Sequence, residues 1–294
     1  MTITNKLNLP EAMVQAVDVA PHNKKGTISA TSLKKGVREF LLEERHWEEL
    51  TDDVADRIWA IFGTSVHALL ERETPDSFTE EKFEIPMDGW TVTGRVDNYN
   101  MATETVEDYK TATTWKVIYK DFKDWHSQGL IYAWLLSKNG LSVKKCRFIA
   151  MLKDFSKTKA KVDSSYPQSP VYIYEFEVTE KDLQEIEEFI YNKIKMLNEN
   201  KDLPDDELPI CSKEERWTKE EFAVYKSEAD YKAGKRALKV FKADNTTLEN
   251  AESLADVYVR DCGGFKVDRS TDVKCPEYCS ACEFCSYYKE HYQA

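Results

Sequence analysis

Asp97, Asp108 and Lys110 place two carboxylates and an ammonium group in one short stretch, WTVTGRVDNYNMATETVEDYKT, residues 90–111. Oxygen ligands of this kind suit Mg²⁺ or Mn²⁺. A divalent cation held there would activate water for attack on a phosphodiester, while the lysine positions the nucleophile or steadies developing negative charge. Asp and Lys two apart on a strand also occur as ordinary solvent-facing charges. The neighbouring elements decide between the two.

The stretch reads as two strands joined by a turn at residues 98–102. Thr91, Val92, Thr93 and Tyr99 on one side, and Thr103, Thr105, Val106 and Tyr109 on the other, favour strands. Asp108 and Lys110 then share a face, because the side-chain period of a strand is two. An even-length turn that pairs Asn100 with Thr103 sets Asp97 opposite Val106. Asp97 and Asp108 become diagonal neighbours, roughly 7–8 Å apart at the backbone, within reach of one ion.

A second cluster lies near the end of the chain. Cys275, Cys279, Cys282 and Cys285 fall in CPEYCSACEFC, and without export seven cysteines point to metal binding before disulfides. These four thiols alone could form a tetrahedral zinc site, although the spacing crowds them into one loop. Cys146, in an apolar strand, reads as a small core hydrophobe.

The 294 residues, 41% hydrophobic and 32% charged, are enough for one large domain or two modest ones. No run reaches the length of a membrane span, and the polar start MTITNKLNLP is not a signal peptide, so a cytoplasmic protein with no membrane partner is expected. Lys and Arg total 41 against 53 Asp and Glu, a net charge of −12. Nucleic-acid binders are usually basic, so contact with phosphates has to come from local patches.

Along the chain, residues 1–27 read as a polar leader. Residues 28–47 read as a helix capped by Ser29 or Thr31, with Lys34, Lys35 and Arg38 able to meet phosphates but read first as a solvated face. Residues 54–73 form a strongly periodic helix on which Gly63, His67 and Glu71 share a face. Residues 80–85 enter the central hairpin as a strand. Residues 115–138 are helical, as one long helix or two broken ones, with Gln128 and Tyr132 one turn apart. Lys116 and Lys120 alternate there with Trp115, Tyr119, Phe122 and Trp125, a mixture that suits single-stranded nucleic acid. Residues 143–152 and 171–178 are strands, with a polar loop at 153–170, and residues 180–198 are an amphipathic helix. The resulting order α–β–β–β–α–β–β–α predicts an α/β sandwich with a mixed sheet. Residues 201–209 break the pattern. Beyond them, residues 225–242 are the most basic stretch, with Lys232, Lys235 and Arg236 as candidate phosphate ligands.

The order His67, Asp97, Asp108-x-Lys110, Gln128-x3-Tyr132 and a late cysteine cluster resembles the PD-(D/E)XK nucleases. It is most similar to the RecB/AddB-like branch, which includes CRISPR adaptation nucleases and phage exonucleases. The resemblance runs from about residue 28 to residue 285. It implies a restriction-endonuclease-like core over residues 28–200, in which helices flank a mixed sheet. A cysteine-rich, metal-stapled region, residues 201–294, closes onto that core. His67, Asp97, Asp108 and the Tyr109 carbonyl are then the Mg²⁺ or Mn²⁺ ligands, Lys110 supports the attacking water, and Gln128 and Tyr132 organise the site. A [4Fe–4S] cluster falls to Cys211, Cys275, Cys279 and Cys285, leaving Cys282 spare and closing about 75 residues of chain. The activity implied is an exonuclease on single-stranded DNA or DNA ends in recombination, repair or phage DNA processing, with a helicase or recombinase as protein partner. A non-catalytic nucleic-acid-binding module and a zinc-stabilised interaction protein are the competing classes.

Overall fold

The computed structural model describes residues 1–17, 25–71, 78–242 and 250–293, with backbone alone at residues 71 and 78–80. The chain divides into two compact units, Met1–Asp202 and Leu203–Ala294.

In the first unit, β1 (Thr2–Thr4), α1 (Glu11–Gln15), β2 (Thr27–Ser29), α2 (Val37–Arg45), β3 (Thr51–Asp53) and α3 (Ile58–Glu71) come first. The central strands follow: β4 (Phe78–Met87), β5 (Trp90–Asn100) and β6 (Thr105–Ala112). Then come α4 (Thr114–Ile118), α5 (Lys123–Lys138), β7 (Lys145–Leu152), α6 (Lys157–Val162), β8 (Val171–Glu177) and α7 (Glu180–Asn200). Six strands form one mixed sheet in the order β2-β5-β6-β7-β8, with β4 on β5 as well. The pairs β2–β5 and β6–β7 are parallel, and the rest are antiparallel. The parallel β6–β7 pair requires a crossover, which α4 and α5 supply. Helix α5 packs on the sheet and α7 packs on α5 and α2. Trp134, Leu135, Leu136, Phe148, Ile190 and Ile194 are fully buried in the core between these layers. A capping box of Thr179 and Asp182 starts α7, the longest helix.

The sheet opens beside β5. Strand β4 runs along one edge of β5 from Trp90 to Tyr99. The other edge is shared: β2 pairs with residues 91–93 and β6 with residues 98–100. Residues 94–97 on that edge face a split between the two neighbours.

Several expectations are corrected. The central connection pairs Asn100 with Thr105, not Thr103, and extension by one step sets Asp97 opposite Asp108. The shift of two leaves the facing of the strands unchanged. Residues 28–47 are not one helix. Ile28 is buried in β2, Ser29 accepts the Ser32 amide, a short 3-10 turn spans Ser32–Lys34, and α2 starts after Gly36. Ser29 and Thr31 therefore cap no helix of that length; tertiary pairing of three residues with β5 overrides local helical character. The third helix begins at Ile58, four residues later than its periodicity implies, and residues 72 and 73 lie outside the described residues. Of the two forms expected for residues 115–138, the broken one is found: α4 and α5 are separated at Lys120, whose φ of 51° cannot continue a helix.

Of residues 1–27, expected as a polar leader, Thr2–Thr4 pairs in parallel with Thr51–Asp53. Among the described residues no helix is long and apolar enough to cross a membrane.

The second unit holds β9 (Thr218–Lys219), β10 (Glu221–Tyr225), α8 (Glu228–Lys232), β11 (Lys239–Lys242), α9 (Ala251–Cys262), β12 (Phe265–Asp268), β13 (Thr271–Asp272), α10 (Lys274–Glu277) and α11 (Ser286–Tyr292). Strands β11-β10-β12 form a sheet. Phe222 and Val224 of β10 pack on Ala251 and Ala255 of α9, with Phe241 and Tyr258 around them.

Candidate active site

Asp108 lies in β6 beside Phe148 of β7, and its side chain is 1% exposed. Lys110 Nζ stands 2.5 Å from Asp108 Oδ1 as an ion pair. Neither Asp108 oxygen has a hydrogen-bond partner of good geometry among the described residues. Burial therefore dominates and pushes the carboxyl up to about 6, with Lys110 opposing and Asp97 adding repulsion. A buried carboxylate with so little compensation is expensive and points to a role for its charge.

Asp97 occupies the split in the sheet. The β5–β6 ladder ends at Asn98–Glu107, and the Tyr109 amide, two residues beyond, donates to Asp97 Oδ2 at 2.8 Å. The other oxygen lies 3.3 Å from His67 Nδ1. Gly63, one turn before His67, faces Thr111 of β6, where a methyl group would make only an ordinary contact with Thr111 Oγ1 at 3.7 Å, so the approach of α3 to β6 does not depend on a glycine there. The hydrogen bond to Asp97 holds the His67 pKa above its ordinary value, burial working against it and Asp97 and Asp108 adding attraction. His67, Asp97, Asp108 and Lys110 thus lie within one electrostatic neighbourhood.

As they stand, no three His, Cys, Asp or Glu side chains among the described residues are close enough together to hold a metal ion. Asp97 is engaged by His67 and the Tyr109 amide, and Asp108 by Lys110. The donor set nonetheless fits a hard divalent cation: two carboxylates, one of them buried and answered by a single ammonium group. His67 fits as a ligand only when neutral, because an imidazolium has no lone pair to offer.

Gln128 and Tyr132 are both buried on α5, with Gln128 Nε2 donating to Tyr132 Oη at 2.8 Å. Tyr132 also lies under Gly94, where a methyl group would come within 3.1 Å of its ring. The pair therefore lines the sheet beside the split.

Lys34 joins this neighbourhood although its sequence context gave it to a solvated helix face. Its Nζ donates to the Asp124 carbonyl at 3.3 Å. Burial lowers its pKa, Asp124 opposes, and Lys110 adds repulsion. No local signal marks it, because its position follows from the three-residue pairing of β2 with β5. Of the other cations, Lys116 is held by Asp124 at 2.7 Å and Asp121 at 3.5 Å, and Lys120 sits exposed at the break between α4 and α5.

In the second unit, Lys232 pairs with Glu228 at 2.7 Å, one turn away. Lys235 and Arg236 line a cavity of about 470 Å³ with Tyr225, Lys239 and Arg269. Two of these cations are already engaged, Lys235 by Asp230 and Arg269 by Glu221.

Cys211, Cys275, Cys279, Cys282 and Cys285 are all half-buried thiols. Burial pushes Cys275 up to about 12, with Asp272, Cys211 and Cys285 close enough to add repulsion. Cys282 is raised mainly by burial and Glu283, and feels Cys285 only weakly. Asp272 draws the ends of this region together. It accepts from Arg216 at 3.0 Å, Thr218 at 2.5 Å and Tyr287 at 2.8 Å, while Arg216 also donates to the Cys211 carbonyl. Sequence reasoning missed this carboxylate, which is separated from its partners by up to 56 positions.

No family model matches the chain, and no curated protein matches its sequence. Among solved structures, SSO0001 is similar at 18% identity over 65% of this chain and 86% of its own, with a TM-score of 0.45. The alkaline exonuclease LHK-Exo from Laribacter hongkongensis is similar at 13% identity over 59% of this chain and 89% of that one, with a TM-score of 0.39. A phage-related exonuclease from Haemophilus somnus 129PT is similar at 13% identity over 56% and 73%, with a TM-score of 0.30. Likeness of this grade carries no argument about activity, which rests on the site itself.

Proposed function

We propose that the chain is a metal-dependent nuclease that hydrolyses DNA phosphodiester bonds at the split beside β5. The observation that carries this reading is Asp108, a buried carboxylate answered only by an ammonium group 2.5 Å away, with Asp97 across the gap. Asp97, Asp108 and the Tyr109 carbonyl would hold Mg²⁺ or Mn²⁺, joined by His67 once it has lost its proton. The bound ion supplies a nucleophilic water and neutralises charge on the phosphate. Lys110 Nζ lies 2.5 Å from Asp108 Oδ1, so it can hold a water or a phosphoryl oxygen beside the carboxylates. Lys34 adds a second positive charge nearby, and Gln128 with Tyr132 fixes the α5 side of the split. Attack on single strands or DNA ends is the form of the activity that fits the resemblance.

For the second unit we propose a [4Fe–4S] cluster on Cys211, Cys275, Cys279 and Cys285. Supporting it, Cys211 and Cys285 both lie near enough to Cys275 to repel its thiolate, which a cluster would neutralise.

The test of the nuclease reading is digestion of end-labelled single- and double-stranded DNA with Mg²⁺ or Mn²⁺, beside Asp108→Ala. Cutting by the parent and a loss of at least about 100-fold in the variant are expected. Equal cutting by both would sink the proposal.

A further inference from the structure

Four large rings stand exposed at the end of the sheet where β6 leaves Lys110. On α3, Trp59 is 58% and Phe62 44% exposed, and on α4, Trp115 is 55% and Tyr119 68% exposed. Apolar surface of this size is rarely left open without a use. The rings are paired: Trp115 and Tyr119 lie 5.6 Å apart and nearly parallel at 18°, and Trp59 meets Phe62 edge-on at 6.3 Å.

Both pairs are tied to the candidate site. Trp59, Gly63 and His67 are spaced four apart, so they share one side of α3, with Trp59 about 12 Å from His67 along the axis. Trp115 follows Lys110 by one short turn of chain. Lys153 links the pairs. Its Nζ sits 3.9 Å over the Trp59 ring, and its neighbour Asp154 accepts from the Thr114 amide and hydroxyl at the start of α4.

Charge selects the occupant. Among the described residues, the acids next to the two pairs are engaged, Asp154 by Thr114 and both Asp121 and Asp124 by Lys116. Lys120 and Lys153 make no ion pair with a described carboxylate. Exposed rings beside lysines that no described carboxylate neutralises match a strand that offers flat bases and a phosphate at each step. In a duplex the base faces are stacked on one another and closed to such rings.

We propose that Trp59, Phe62, Trp115 and Tyr119 form a stacking platform for unpaired nucleotides, with Lys120 and Lys153 meeting their phosphates, so that the substrate is single-stranded where it enters the site. This rests on the nuclease reading for its function, but its test is a binding measurement. The full-length protein is titrated, without added divalent ion, into a fluorescent single strand, a duplex of the same sequence, and an abasic strand of equal length. Measurements use the parent, Trp115→Ala/Tyr119→Ala, Trp59→Ala and the conservative Trp115→Phe.

The parent should prefer the single strand to both other ligands by about tenfold or more. Each alanine variant should lose about 5- to 100-fold on the single strand and little on the duplex, and Trp115→Phe should hold most of the affinity. Equal affinity for the abasic strand, alanine variants that bind like the parent, or rings that instead hold two copies of the chain together would each overturn the platform. Asp108→Ala separates this from the nuclease reading. Ring-dependent binding with no Asp108-dependent cutting sinks the nuclease and keeps the platform. Asp108-dependent cutting with ring-independent binding does the reverse.

Discussion

At the scale of single residues, the chemistry turns on a carboxylate held where its charge is unwelcome. The folded-state pKa of Asp108, about 6, lies above the ordinary carboxylate value. Its ionisation is therefore a penalty that is absent below about pH 4 and grows as pH rises through 6. Asp108→Asn removes it. The variant should lose cleavage yet melt higher at pH 7, by about 1–2 kcal/mol once the abandoned Lys110 is discounted, and the gain should vanish near pH 4. Thermal melts at both pH values check this, and a variant less stable than the parent at pH 7 would contradict it. His67 titrates in the same functional direction: its raised pKa keeps it protonated and paired with Asp97 at low pH, and that pairing is lost as pH rises through the folded value. Mn²⁺ affinity should accordingly climb between pH 5 and 7, and a flat profile would mean that neither group is a ligand. Asp108 and Lys110 were legible at this scale because a strand repeats every two residues. Lys34 was not, since nothing in its local pattern announces the neighbours that tertiary pairing gives it.

Elements bring these residues together through one irregularity, the shared edge of β5. The hairpin, the capped helix α7 and the strands β7 and β8 follow from alternation, periodicity and caps, and their positions in the structure agree with those signals. The three residues of β2 carry no pattern long enough to read, yet their pairing with residues 91–93 shapes the split that holds Asp97. The loop length between β5 and β6 was likewise misread by two positions, because Met101–Glu104 contains no Gly or Pro to mark the turn. On the other side, α5 sits close enough to the sheet that Gly129 is required. A methyl group there would meet Phe176 at 2.9 Å, Phe148 at 3.0 Å and Cys146 at 3.2 Å. Gly129→Ala should destabilise the first unit by about 1–3 kcal/mol and, by lifting α5, loosen Gln128 and Tyr132. Urea unfolding measures the first effect. A fall in cleavage larger than the unfolded fraction explains would show the second, and unchanged stability would mean that the helix has slack.

For the molecule as a whole, a net charge of −12 is met by local compensation, and the cysteine-rich end shows how far that reaches. Burial alone would raise Asp272, but hydrogen bonds from Thr218, Tyr287 and Arg216 outweigh it and hold the carboxyl below its usual range. This network sets Cys211 beside the tail, across a gap that local spacing does not span. The tight Cys275–Cys285 spacing was plain in the sequence; which distant thiol completes a set was implied only by resemblance. The two candidate sets differ at single residues, and that difference can be measured. If iron is held by Cys211, Cys275, Cys279 and Cys285, anaerobically purified protein should carry iron with broad visible absorbance. Cys211→Ala and Cys285→Ala should lose it, and Cys282→Ala should keep it. If zinc is held by the four tail cysteines, the preparation should be colourless. Cys282→Ala should then release the metal, and Cys211→Ala should retain it. In either case the Cys275 thiol, pushed up to about 12 without metal, must give up its proton on binding. Metal uptake should therefore release protons and weaken steeply as the pH is lowered. Metal content that tracks neither set of substitutions would show that these cysteines hold no ion, leaving the Asp272 network to join the region alone.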